Sequence, residues 1–206
     1  MNYTTLTELI KRYCENEETT FVANIPTFVR LAEQRIYNTV LLPVLRRNKT
    51  GGLTAGNRFM TLPDDWLATY SIAVISPVTG EHYFLDVKDV EFIREAFPVA
   101  ATIGMPKYYA LFDQNTLILG PTPDQGYQVQ LHYFYYPPSI VDAGTTWLGD
   151  NVDNVLLYGA LREAYLYMKG EKDLIDNYEQ KYQEGITLLK TYGELKSPRD
   201  LYRPMR

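Results

Sequence analysis

The chain is poor in the residues that do most enzymatic work. It has one cysteine, Cys14, and two histidines, His82 and His132, among 206 residues. A lone thiol excludes an intramolecular disulfide and a thiolate metal cluster. Cys14 lies in a helical pattern and reads as a small buried or half-buried side chain. The histidines fall on separate predicted strands with no ligand partner at short spacing, so neither marks a metal site or a general base. No Gly-rich phosphate-cradling loop of the GxxxxGK or GxGxxG kind follows any strand. No stretch approaches the ~20 apolar residues that span a bilayer, so no membrane partner is expected. Glu8, Lys11, Arg12 and Glu15 break up the first fifteen residues where a signal peptide needs an unbroken apolar core, which predicts a protein made and kept in a cytoplasm. A basic excess is also lacking. Twenty Lys and Arg against 25 Asp and Glu leave a formal net charge of -5, which opposes broad phosphate-backbone binding.

What is present is apolar patterning and tyrosine, 18 residues of it. Leu6, Leu9, Ile10 and Tyr13 share one helical face, and Ile25, Phe28, Ala32, Ile36 and Val40 recur at spacings of three and four. Pro26 fits the first turn of that second helix, where its missing N–H costs nothing. From about Val44 to Pro137 the punctuation changes. Gly51-Gly52, Gly56-Asn57, Pro77 to Gly80, Asp113 to Asn115 and Pro121 to Gly126 separate short Val-, Ile-, Tyr-, Phe- and Thr-rich runs, the spacing of an antiparallel sheet. In YQVQLHYFYY, Tyr127, Val129, Leu131, Tyr133 and Tyr135 point one way and Gln128, Gln130 and His132 the other. Val90, Ile93 and Phe97 predict a short helix over the strands. Residues 152–168 are apolar on several sides, the mark of a central helix. Lys169-Gly170 ends it, and Ile175, Tyr178, Tyr182, Ile186, Leu189 and Tyr192 make the stripe of an antiparallel successor.

These elements predict an α+β fold: a discontinuous helical bundle from N- and C-terminal helices (1–43 and 148–195), an inserted antiparallel β module (44–147), and an extended C-terminal tail (196–206). Chemistry remains scarce. Asp64 and Asp65 are neighbours, so in a strand they would point to opposite faces, and they read as a turn entering the strand at Ala68. Gly51-Gly52 reads as a hairpin turn. The tyrosines suit packed helices and subunit contacts. A single-stranded nucleic-acid-binding protein using the tyrosine-rich strand is the alternative, opposed by the absence of Lys or Arg within ten residues of Tyr133 to Tyr136.

Four collinear segments carry a resemblance: FVRLAEQRIYNTVLLPVLRR at 28–47, RFMTLPDDWLATYSIAV at 58–74, GMPKYYALFDQNTLILGPTPDQGYQVQLHYFYYPP at 104–138, and TTWLGDNVDNVLLYGALREAYLYMKGEKDLIDNYEQKYQEGITLL at 145–189. In this order they resemble the adaptor proteins of tailed bacteriophages, the head-to-tail connectors of short-tailed phages. The resemblance implies a virion structural protein with neither enzyme activity nor cofactor, placed at the head-tail interface. It implies a homo-oligomeric ring, a dodecamer, attached beneath the portal protein and presenting a platform to the tail nozzle or tail tube protein, while DNA passes through the lumen without specific binding. An acidic wall that repels phosphates fits such a channel.

The resemblance also gives the basic tail a role, docking on the portal. The tail, interrupted by Pro198 and Pro204 and carrying Lys196, Arg199, Arg203 and Arg206 against one acid, cannot fold alone but can order on an acidic groove, with Leu201, Tyr202 and Met205 as apolar anchors. An exposed ionic contact contributes ~0 to 1 kcal/mol, whereas a buried Tyr or Arg contributes ~2 or more, which singles out Tyr202 and Arg203.

Overall fold

The structure, a computed structural model, describes residues 1–195; of Leu195 only the backbone is described. It forms two compact units. One joins Met1–Pro43 to the described residues from Pro137 onward, and the other is Val44–Tyr136.

The first unit is helical: α1 (Tyr3–Cys14), α2 (Thr19–Thr39), α4 (Ile140–Ala143), α5 (Trp147–Asn151), α6 (Asp153–Tyr167) and α7 (Lys172–Leu195). Asn2 caps α1 by accepting from the Thr5 N–H at 2.8 Å. Glu15, at φ 47°, closes that helix. As its apolar surface requires, α6 is central and packs on α1, α2, α5 and α7. Val155, Leu156, Leu161 and Ala164 are buried within it. Two glycines set its spacing. A Cβ on Gly159 would meet Ala32 at 3.0 Å and the Tyr182 ring at 3.3 Å, and one on Gly185 would meet Val155 at 2.6 Å. Because Val155 faces Gly185 while Tyr165 faces Tyr178, α6 and α7 run antiparallel.

Three expectations change here. Pro26 lies inside α2 and not in its first turn, because the helix begins seven residues earlier, where the Asn16 side chain accepts from the Glu18 N–H. Tyr13 is exposed, unlike Leu6 and Ile10 on its face. Residues 137–147, assigned to the β module from sequence, belong with the helices. There α4 packs on α2, α5 packs on α6, and buried Glu33 accepts the Ile140 N–H at 2.9 Å. At Gly149, just before α6, the Met1 carbonyl occupies the space that a Cβ would need.

The second unit holds β1 (Arg46–Gly52), β2 (Phe59–Thr61), β3 (Trp66–Ile75), β4 (His82–Phe84), β5 (Asp86–Val87), α3 (Val90–Ala96), β6 (Tyr108–Asp113), β7 (Thr116–Gly120) and β8 (Gln128–Tyr135). There are two four-stranded sheets, β1-β8-β3-β4 and β2-β7-β6-β5, with β5 and β6 parallel. Leu117 and Leu119 of one sheet pack with Ile72, Val74, Val129 and Leu131 of the other. The other face of the second sheet carries α3, whose Ile93 is buried with Ala110 and Ile118. In β8 the alternation read from sequence places Tyr127, Val129, Leu131 and Tyr133 inside. Gly51-Gly52 is no hairpin turn. Both glycines continue β1 opposite Val129 and Gln128, and the chain turns only at Ala55-Gly56.

Candidate functional site

The tail residues singled out from sequence, Lys196, Arg199, Leu201, Tyr202, Arg203, Met205 and Arg206, lie outside the described residues. The described surface is therefore judged on its own chemistry.

Catalytic constellations are not assembled there. Among the described residues no group of three or more His, Cys, Asp or Glu is placed to hold a metal ion. Burial pushes the Cys14 thiol up to about 12, far from the thiolate that reactive cysteines need. Asp64 is exposed. Asp65 is an anchor, because its Oδ1 accepts from the Tyr133 hydroxyl at 2.9 Å and its Oδ2 from Arg47 at 2.8 Å. Burial, then the bond to Asp65, holds the Tyr133 hydroxyl above its ordinary pKa. His82 is exposed on the edge strand β4, and His132 is half-buried on β8.

The tyrosine strand has neighbours that no local window reveals. Pairing of β1 with β8 sets Arg46 opposite Phe134, Arg47 opposite Tyr133 and Lys49 opposite Leu131. Arg46 lies 4.0 Å from the Tyr70 ring centroid, and Arg47 lies 3.6 Å from that of Tyr135. Basic and aromatic groups therefore do meet, which removes the sequence objection to nucleic-acid stacking. The same geometry raises another, since the arginines already cover ring faces that a base would need and Tyr133 is buried.

The rest of the β unit's surface suits contact with other proteins. Val78 at the β3–β4 turn is 90% exposed, and Phe84 on edge strand β4 is 55% exposed. The Phe59 and Phe112 rings meet at a tilt with centroids 5.0 Å apart on the second sheet, both exposed. Between the edge strands β1 and β2 runs an open cleft of about 360 Å³, floored by Leu62, Val129 and Leu131 and lined by Lys49. In the helical unit, Arg35, Arg162 and Glu179 gather in one half-buried ionic cluster. Glu179 accepts a two-point contact from Arg35, 2.8 Å at the longer arm, and Arg162 Nε approaches it at 2.7 Å without hydrogen-bond alignment. Arg35 above all, with Gln183 and Arg162 adding, holds Glu179 below its ordinary pKa against the opposing effect of burial.

Comparison with known proteins supplies the class: this is a bacteriophage adaptor, a structural protein of the virion. The matching family model is that of the SU10 adaptor protein, it spans residues 1–206, and the chain belongs to that family. No curated protein matches the chain. Among the described residues no helix is long and apolar enough to cross a membrane.

Proposed function

We propose that this protein is the head-to-tail adaptor that forms a dodecameric ring beneath the portal protein and links it to the tail nozzle or tail tube, leaving a channel for DNA. The observation that carries the proposal is the match to one adaptor family along residues 1–206. Its geometry supports the reading. The helical unit is densely interlocked, and the β unit leaves strand edges and apolar side chains on its surface for partners. The tail docks on the portal through Tyr202 and Arg203, with Lys196, Arg199, Leu201, Met205 and Arg206 around them. Repetition around a ring multiplies modest contacts through effective concentration.

Deleting residues 196–206 tests this. The shortened chain keeps its melting temperature and loses association with the purified portal protein encoded by the same genome. Unchanged affinity would remove the docking role from the tail and assign it to the helical unit.

A further inference from the structure

The outer edge of β1 is open, and the end of α7 lies beside the segment that leads into it. The Leu53 N–H donates to the Tyr127 carbonyl at 2.8 Å in register with the β1–β8 ladder. Antiparallel pairing alternates, so Lys49 and Gly51 bond to β8 while the N–H and C=O of Asn48, Thr50 and Gly52 point away from it. Among the described residues no main-chain group pairs with these three. Lys49 and Gly51 share the face of Leu131 and Val129, which lines the cleft, and Lys49 is the single charged side chain in that lining. A Cβ on Gly51 would have nothing within 4 Å, which leaves room for a side chain at that level. Such an edge is a template for another strand.

What lies within reach is the chain's own tail. A Cβ on Gly193, near the end of α7, would stand 3.7 Å from the Leu41 carbonyl oxygen and 3.8 Å from the Pro43 ring. From that shared point, the last residues of α7 and an extended run to Asp200 span about 20 Å. The path from Pro43 through its 3₁₀ turn and along β1 to Lys49 spans about 17 Å. The stretch Arg199-Asp200-Leu201-Tyr202-Arg203 is free of proline and matches Asn48–Gly52 in length, with Pro198 and Pro204 standing just outside it.

We propose that residues 199–203 add as a parallel strand to the β1 edge of their own chain, with Asp200 level with Lys49 and Tyr202 level with Gly51. Asp200 then meets the one cation of the cleft, and the Tyr202 ring fills the open space beside Gly51. Arg199, Leu201 and Arg203 fall on the opposite face, that of Asn48 and Thr50, which are both exposed, and away from Lys49. The Thr50 N–H donates to the Asp200 carbonyl and the Gly52 N–H to the Tyr202 carbonyl. The tether distinguishes this occupant from any other. It supplies an effective concentration on the order of millimolar, whereas the tail of a second copy brings the same residues without it. Because Tyr202 and Arg203 are also the residues assigned to the portal, a chain docked there has its β1 edge bare. That consequence rests on the adaptor reading; the strand itself does not.

Hydrogen exchange of the full chain, alone in solution, tests the strand. The Thr50 and Gly52 amides exchange about tenfold more slowly than unpaired amides, and those of Lys49 and Gly51, bonded to β8, more slowly still. A contact of that strength opens before the fold melts, so the shortened chain keeps its melting temperature. Asp200→Lys and Lys49→Glu, neither of which touches the core, each speed exchange at Thr50 and Gly52 about fivefold, and combining them restores the slow rate. Dilution changes nothing, because the occupant is tethered. Thr50 and Gly52 amides that exchange freely in the full chain overturn the proposal, as does slow exchange that both single variants leave untouched. Slowing that fades on dilution overturns the tethered occupant in favour of a second copy's tail. Once the portal protein of the same genome is bound, the two amides exchange freely. Slow exchange in the bound chain overturns the competition between the two sites, and failure to bind overturns the adaptor reading alone.

Discussion

The helical unit and the β unit spend their side chains differently. In the first, Gly159 and Gly185 bring α2, α6 and α7 close together, Tyr182 fills the junction, and Arg35 and Arg162 are balanced by Glu179 and Glu163. In the second, a core between two sheets is enclosed by surfaces where Phe59, Phe84 and Val78 remain outside and one edge of each sheet borders an open cleft. Close packing makes the first unit intolerant of volume change, whereas the second can lose surface groups without losing its fold.

Substitutions can break or sharpen that contrast. The largest effect is expected from Tyr182→Ala, which empties a fully buried site and costs about 3–5 kcal/mol in urea unfolding of the helical unit. Tyr182→Phe is its control. The hydroxyl is buried without a hydrogen-bond partner, and burial drives it up to about 12, so removing it leaves stability unchanged or slightly raised. Gly185→Ala comes next. Helix propensity favours alanine by about 1 kcal/mol, but β-branched Val155 stands 2.6 Å from the new carbon, and net destabilisation of about 1–3 kcal/mol follows. A stabilised variant would show that α6 and α7 are less tightly set than described.

Charge effects are smaller and depend on pH. Glu179→Gln costs about 1–2 kcal/mol at neutral pH, because it leaves Arg35 without its carboxylate, while Arg162 keeps Glu163 at 2.6 Å. The folded pKa of Glu179 is depressed, so its contribution is present above the ordinary carboxylate range and disappears as pH falls through the folded value. Glu33 has the opposite sign. Burial raises its pKa despite bonds with Ser139 and the Ile140 N–H, so the folded state holds this proton more tightly and stability declines as pH rises through the raised value. Glu33→Gln therefore gains stability relative to the parent between pH 4 and pH 8, measured by urea unfolding at the two pH values. In the β unit, Val78→Ser should move stability by less than about 0.5 kcal/mol.

Periodicity made the helices legible before any coordinates. Ile25, Phe28, Ala32 and Ile36 are buried as their spacing requires, and α6 is surrounded as its apolar sides require. The α+β class followed from the change of punctuation near Val44. What stayed hidden depends on pairing between distant residues. Nothing near Tyr133 reveals that Arg46 and Arg47 lie beside it, because that follows from β1 joining β8 across most of the inserted unit. Gly51-Gly52 has the composition of a turn and is used as strand, since continued pairing with Val129 and Gln128 outweighs glycine's weak strand propensity. Pro26 obeys the helix-start rule only if the preceding turns are ignored. At the candidate surfaces, the exposed aromatics were readable as composition, but the cleft between two sheet edges was not, because the sequence predicted strands without saying how many sheets they form.

Electron microscopy of the protein mixed with the portal of the same genome tests the central claim most directly. The account predicts an added ring of density coaxial with the portal, with the C-terminal tails against portal subunits. Absence of a ring at every salt concentration and stoichiometry tried would contradict it.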